Sequence, residues 1–157
     1  MPLSLEIGDI FSTPDVIAFA HGCNCAGAMG KGIAVSFRRH WPAMYQEYRR
    51  RCAVGEFKLG DVFLWEQENI SIFNLGTQQS WRTKAEYWAV KKSLSEMVRL
   101  AEDRKVREIV LPRIGAGLGD LEWQDIQATL QSLGDMTSVL LRVCDIFVSG
   151  QPLTKLR

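Results

Sequence analysis

The stretch His21 to Val35, HGCNCAGAMGKGIAV, constrains this chain more than any other. It follows the apolar run Val16 to Ala20, which reads as a buried strand, and leads into Ile33-Ala34-Val35-Ser36-Phe37, which reads as the start of a helix. Gly27, Gly30 and Gly32 carry no Cβ, so backbone N–H groups can turn toward one point and a ligand can come close. The open N–H groups of the following helix add partial positive charge at the same place. Such a loop suits a phosphate, although the same glycines also serve a plain strand-to-helix turn. Neither standard nucleotide fingerprint fits. No Ser or Thr follows Gly30-Lys31, Cys25 stands where GxxxxGK needs its first glycine, and Gly27-x-x-Gly30-x-Gly32 is not GxGxxG.

The chain has 157 residues, 46% hydrophobic and 24% charged, which is enough for one substantial core. Residues 1–150 read as a single domain and 151–157 as a frayed tail. Nineteen basic against eighteen acidic side chains leave a formal charge of +1, so no bulk field draws the protein to nucleic acid. Any such contact must be local, and Arg38-Arg39-His40 and Arg49-Arg50-Arg51 read as solvated faces. No apolar run approaches the roughly twenty residues of a membrane span, and the chain reads as a cytoplasmic monomer without a membrane partner. The four cysteines include one close pair, Cys23-x-Cys25, which is neither a zinc spacing nor a disulfide framework. No metal and no cofactor are implied. Cys23 and Cys25 read as small buried filler, or as reactive thiols if the N–H-rich loop lowers their pKa.

Along the chain, Leu3 to Ile7 is a first strand, ended by Gly8-Asp9-Ile10-Phe11, in which Asp9 reads by type as a turn residue. Trp41-Pro42 separates the first helix from a second over Ala43 to Arg51. Asp61 to Trp65 and Ile70 to Leu75 form a strand pair. The polar segment Gly76 to Lys84 then lies where α/β proteins keep ligand groups. Ala85 to Arg104 has helical spacing through Tyr87, Val90, Leu94, Met97, Val98 and Ala101. Glu108 to Pro112 is a buried strand feeding a second glycine-rich loop, Arg113 to Asp120. A helix from Trp123 to Leu133 and a closing strand within Ser138 to Val148 complete the order. If the two strands that feed the loops are parallel neighbours, both loops emerge at one sheet edge and can close on a single diphosphate-bearing ligand.

Three segments together carry a likeness: Gly8-Asp9-Ile10-Phe11, Asn24 to Ala34, and Pro112 to Leu118. In these the chain resembles the macrodomains, the family that binds ADP-ribose. It is most similar to the subgroup holding terminal ADP-ribose protein glycohydrolases, DNA-acting glycohydrolases of the DarG type and ADP-ribose-1''-phosphate phosphatases. The resemblance implies a three-layer α/β/α sandwich around a mixed, mainly parallel sheet. It implies that Asp9 accepts a hydrogen bond from the adenine amino group, with the Ile10 N–H beside it. Asn24 is placed near the distal ribose, and Gly30, Gly32, Ile33 and Ala34 along the diphosphate and ribose. Thr77 joins the substrate-binding set, and Ile114, Gly115, Ala116, Gly117 and Leu118 clamp the diphosphate from the other side. Lys84 falls where such glycohydrolases place a nucleophilic lysine, although by type alone it is a surface charge.

The implied reaction is hydrolysis at C1'' of the distal ribose, acting on ADP-ribosylated protein or DNA. The attacking form is the neutral amine, which desolvation or a neighbouring cation such as Arg82 favours. The family's protein glycohydrolases carry an acid directly after the Leu of the second loop; here that place is Gly119, with Asp120 one step later. Asp120 is therefore the candidate acid-base partner. An ADP-ribose reader without turnover and a phosphatase acting on ADP-ribose-1''-phosphate are the alternatives.

Overall fold

The computed structural model describes residues 2–156. In chain order the elements are β1 (Leu3–Gly8), a 3-10 turn (Ile10–Ser12), β2 (Ala18–Asn24), α1 (Ile33–His40), α2 (Pro42–Ala53), β3 (Val62–Gln67), β4 (Ile70–Gln78), α3 (Tyr87–Asp103), β5 (Glu108–Leu111), α4 (Trp123–Asp135), β6 (Leu140–Phe147) and β7 (Thr154–Lys155). The strands form one sheet in the order β3-β4-β2-β5-β6-β1-β7. The inner five run parallel, and β3 and β7 pair antiparallel at the two edges.

Alternation along the inner strands sends apolar side chains to both faces, as a sheet covered by helices requires. Phe19, Ile72 and Val110 face the layer of Phe37, Met44 and Tyr48 from α1 and α2. Ala20, Phe73, Leu111 and Val143 face Val90, Leu94, Met97, Ile126 and Leu130 from α3 and α4. The three-layer α/β/α sandwich with a mixed, mainly parallel sheet is therefore the fold. Among the described residues no helix is long and apolar enough to cross a membrane.

Two boundaries differ from the sequence reading. β2 does not end at Ala20; its pairing with β4 continues through His21↔Asn74 and Gly22↔Leu75 to Asn24↔Gln78, so both strands are longer and the first loop starts at Cys25. His21 is thus fully buried in the sheet, stacked on Phe37 at 3.8 Å. The segment expected to fray instead returns to the sheet. Leu153 is buried, and Thr154 and Lys155 pair with Ile7 and Glu6. An apolar Leu153 with open β1 backbone beside it gives the tail a docking place that its polar composition hid.

Candidate functional site

Because β4, β2, β5, β6 and β1 are parallel, their carboxyl ends lie along one edge. The neighbours β2 and β5 carry the two glycine-rich loops there. The first loop is tied down by Asn24. Its Oδ1 accepts from the N–H groups of Ala26 (3.0 Å) and Ala28 (3.3 Å), and its Nδ2 donates to the Ala28 carbonyl (2.8 Å). The Tyr48 hydroxyl, from the core side of α2, lies 2.7 Å from the Asn24 carbonyl and 2.9 Å from its Oδ1. Asn24 thus shapes the loop, and among the described residues one Nδ2 hydrogen has no hydrogen-bond partner. Met29 is buried as an anchor, whereas Gly30 and Gly32 are exposed. Gly32, at φ 62°, is the N-cap of α1, whose first turn holds Ile33 and Ala34.

In the second loop Ile114 is buried, and Gly115 takes φ 75°, a left-handed conformation that suits glycine, with Val90 close enough (3.2 Å) to crowd any added Cβ. The Leu121 N–H donates to the Gly115 carbonyl at 2.9 Å and the Asp120 N–H to that of Gly117 at 3.2 Å, which closes the loop on itself. Among the described residues the N–H groups of Gly30, Lys31, Gly32, Gly117 and Leu118 meet no backbone acceptor. The two loops touch: a Cβ on Gly32 would lie 3.2 Å from Leu118, whose side chain is 65% exposed. Unpaired donors on two adjoining loops are an arrangement that an anionic ligand satisfies.

At the end of β1, Asp9 caps the 3-10 turn. Its Oδ1 accepts from the Phe11 N–H at 2.9 Å, and its Oδ2 accepts from the Ser12 hydroxyl at 3.2 Å and the Gly150 N–H at 3.1 Å. Three of about four carboxylate lone-pair sites are taken, leaving roughly one for an outside donor. The Ile10 N–H meets no backbone acceptor among the described residues. Phe147, 67% exposed at the end of β6, pairs in register with Gly8 and stands in the same corner. The sequence reading missed Phe147. Phe147 follows the exposed Ile146 at the end of β6, and only the β1–β6 pairing brings it beside Asp9.

Lys84 and Asp120 meet from different loops, with Nζ 3.5 Å from Oδ2 and both side chains more than 70% exposed. The Ala85 N–H donates to the Gly119 carbonyl at 2.9 Å and the Glu86 N–H to the Thr77 carbonyl at 2.8 Å, which pins the lysine segment to both loop and sheet. Thr77 itself is buried, and its hydroxyl donates to the Cys23 carbonyl at 3.4 Å beneath the first loop. The Arg82 guanidinium lies over the Trp81 ring at 4.6 Å. The reactive-thiol reading is corrected. Burial, with the neighbouring Cys25 and Cys52, pushes the Cys23 thiol well up, and burial with Cys52 and Asp61 pushes Cys25 up to about 12. Both stay protonated filler.

The Macro domain family model matches residues 20–130. The DNA ADP-ribosyl glycohydrolase of Mycobacterium tuberculosis is 30% identical over 141 residues, which cover 85% of this chain and 40% of that protein. This chain therefore spans two fifths of that relative's length. The ADP-ribose 1''-phosphate phosphatase of Candida albicans is 31% identical over 143 residues, covering 82% of this chain and 92% of that one. Among solved structures, the macrodomain of Mycobacterium tuberculosis DarG superposes with a TM-score of 0.83 at 28% identity, over 92% of this chain and 96% of its own. The layered sheet, the paired glycine loops and these matches agree that the chain belongs to the macrodomain family.

Proposed function

We propose that this chain binds ADP-ribose along the carboxyl edge and hydrolyses the bond that joins C1'' of the distal ribose to an acceptor. The observation that carries the reading is the Lys84–Asp120 pair at 3.5 Å, held where the second glycine loop meets the lysine segment. Asp9, the Ile10 N–H and Phe147 make the adenine corner. Gly30, Gly32, Ile33 and Ala34 on one side, with Ile114 to Leu118 on the other, take the diphosphate. These contacts hold the ribose against the amine.

The chemistry balances on the two side chains and one water. Asp120 takes the proton that Lys84 sheds, and the neutral amine attacks C1''. The C1''–acceptor bond breaks, and Asp120 returns the proton to the leaving acceptor. Water then attacks C1'' of the lysine adduct, which frees ADP-ribose and restores the amine. Lys84 is open to solvent in the free protein, so bound substrate supplies the water exclusion that the neutral amine needs. The DNA-acting relatives support a DNA base as the acceptor, in preference to a protein glutamate.

The test is release of ADP-ribose from thymidine-modified DNA and from glutamate-modified protein by the wild type and by Lys84→Ala, with calorimetric ADP-ribose binding as control. Turnover that disappears in the variant while binding persists is the expected result. Full turnover by Lys84→Ala would refute the nucleophile. Phosphate release from ADP-ribose-1''-phosphate would favour the phosphatase reading, which the Candida relative supports. Binding with no turnover of any substrate would leave a reader.

A further inference from the structure

The loop that carries Lys84 presents a group that the ADP-ribose contacts leave unused. Trp81 is 55% exposed at its tip. The loop is built to hold it there. The Ser80 N–H donates to Thr83 Oγ1 at 3.1 Å, and the Arg82 N–H donates to Ser80 Oγ at 3.2 Å. Thr83 Oγ1 donates back to the Ser80 carbonyl at 3.1 Å, and Gln78 Nε2 donates to the Thr83 carbonyl. Three polar side chains therefore lock a short turn between β4 and the lysine, with an indole pointing outward.

Two cations from different loops frame that indole. The Arg82 guanidinium lies 4.6 Å from the ring centroid, and Lys31 Nζ reaches it at 5.8 Å from the first glycine loop. Trp81 thus bridges the first glycine loop to the segment bearing Lys84. A second indole, Trp88, is 52% exposed in the first turn of α3, beside Lys92 and against Gly60. The carboxylates near this rim are already engaged or lie to one side: Asp120 faces Lys84 at 3.5 Å, Asp61 faces Lys92 at 4.0 Å, and Glu86 follows in the chain.

An exposed aromatic face with cations on flexible stems is the recognition chemistry of single-stranded nucleic acid. A base stacks on the ring and the backbone phosphates meet the cations. A duplex hides its base faces, and a protein acceptor offers no run of phosphates. With a net charge of only +1, such an interaction has to be local, as this one is.

We propose that Trp81, with Lys31 and Arg82, is an acceptor platform that stacks a base of single-stranded DNA flanking the modified nucleotide and so presents the C1'' linkage to Lys84. The inference rests on the hydrolase reading above and gives its acceptor a docking place. Trp81 is on this reading an acceptor-binding residue, outside the ADP-ribose contacts.

The test measures binding of a short, dye-labelled, unmodified single-stranded oligothymidine by fluorescence anisotropy, together with turnover of ADP-ribosylated DNA and of an ADP-ribosylated glutamate peptide. In Trp81→Ala, oligonucleotide affinity falls about tenfold and KM for modified DNA rises by about the same factor, as loss of one stacked base predicts. The kcat on DNA, the peptide turnover and calorimetric ADP-ribose affinity stay unchanged, and Trp81→Phe restores most of the DNA affinity. Arg82→Ala lowers the slope of log affinity against log salt by about 0.7, one phosphate contact on a single strand. Unaltered DNA binding in Trp81→Ala, equal losses on peptide and DNA, or tighter binding of the matching RNA would overturn the proposal. Oligonucleotide binding is read without turnover, so a wild type that binds DNA through Trp81 yet releases no ADP-ribose refutes the hydrolase and leaves the platform standing.

Discussion

The Ala85 N–H donates to the Gly119 carbonyl at 2.9 Å, and a Cβ built on Gly119 would stand 2.8 Å from the Cβ of Ala85. The same Cβ would lie 2.6 Å from the Gly115 carbonyl oxygen. Lys84 and Asp120 are the chain neighbours of this contact, so it sets their separation. It also explains why no acid stands at 119: no side chain fits, and the carboxylate sits one residue on, at Asp120, whose φ of 61° is itself left-handed. Gly119→Ala is expected to cost about 1–3 kcal/mol by overpacking and to lower turnover, read by chemical denaturation beside the ADP-ribose release assay. Gly119→Glu, which restores the acid by type, is expected to be inactive. A stable and faster Gly119→Glu would sink this account.

Asp120 is exposed and pairs with an exposed lysine, so its loss should leave folding almost untouched. Asp120→Asn keeps the shape and removes the proton acceptor. Turnover is expected to fall roughly 100-fold or more, with ADP-ribose affinity unchanged by calorimetry. Equal kcat in the two proteins would remove Asp120 from the chemistry.

The Tyr48 hydroxyl braces the first loop through Asn24 and, at 3.4 Å, the Ala28 carbonyl. Tyr48→Phe deletes the hydroxyl 2.7 Å from the Asn24 carbonyl and 2.9 Å from its Oδ1 while keeping the buried ring. The expected cost is about 1 kcal/mol of stability, with a looser first loop and weaker ADP-ribose binding. Calorimetry on Tyr48→Phe that matched the wild type would show that the loop holds its shape without this brace.

Phe147 offers its ring beside Asp9 with two-thirds of its surface open. Phe147→Ala is expected to weaken ADP-ribose binding about tenfold, the value of one stacked base at an aromatic platform. The kcat at saturating substrate should hold, because adenine lies far from C1''. An affinity unchanged in Phe147→Ala would place the adenine elsewhere.

The layers, both glycine loops and the convergence of their strands were legible because apolar runs and glycine spacing are local properties of the chain. Lys84 and Asp120 were candidates from the resemblance alone, and their 3.5 Å approach depends on the Ala85–Gly119 clasp, a contact between loops 34 residues apart in the chain. The extension of β2 to Asn24 was hidden because His21-Gly22-Cys23-Asn24 has polar and glycine composition; its pairing partners on β4 decide the matter. Phe147 and the docked tail were missed for a related reason. Each depends on β1 receiving neighbours from the far end of the chain.

His21 shows what that hidden strand extension costs to maintain in acid. The ring is fully buried, its Nε2–H donates to Asn74 Oδ1 at 2.7 Å, and the Asn74 amide donates onward to the Phe63 carbonyl at 3.0 Å. Burial lowers its pKa from 6.5 to about 4, the Asn74 hydrogen bond offsetting only part of the shift. The folded protein thus holds His21 neutral where the unfolded chain binds a proton. The associated stability is complete above about pH 6.5 and is lost as pH falls toward 4, on the order of 3 kcal/mol in all. Urea denaturation midpoints measured across this window should fall with pH in the wild type, and the fall should be shallower in His21→Gln. A variant with the wild-type slope would mean that other groups set the acid limit.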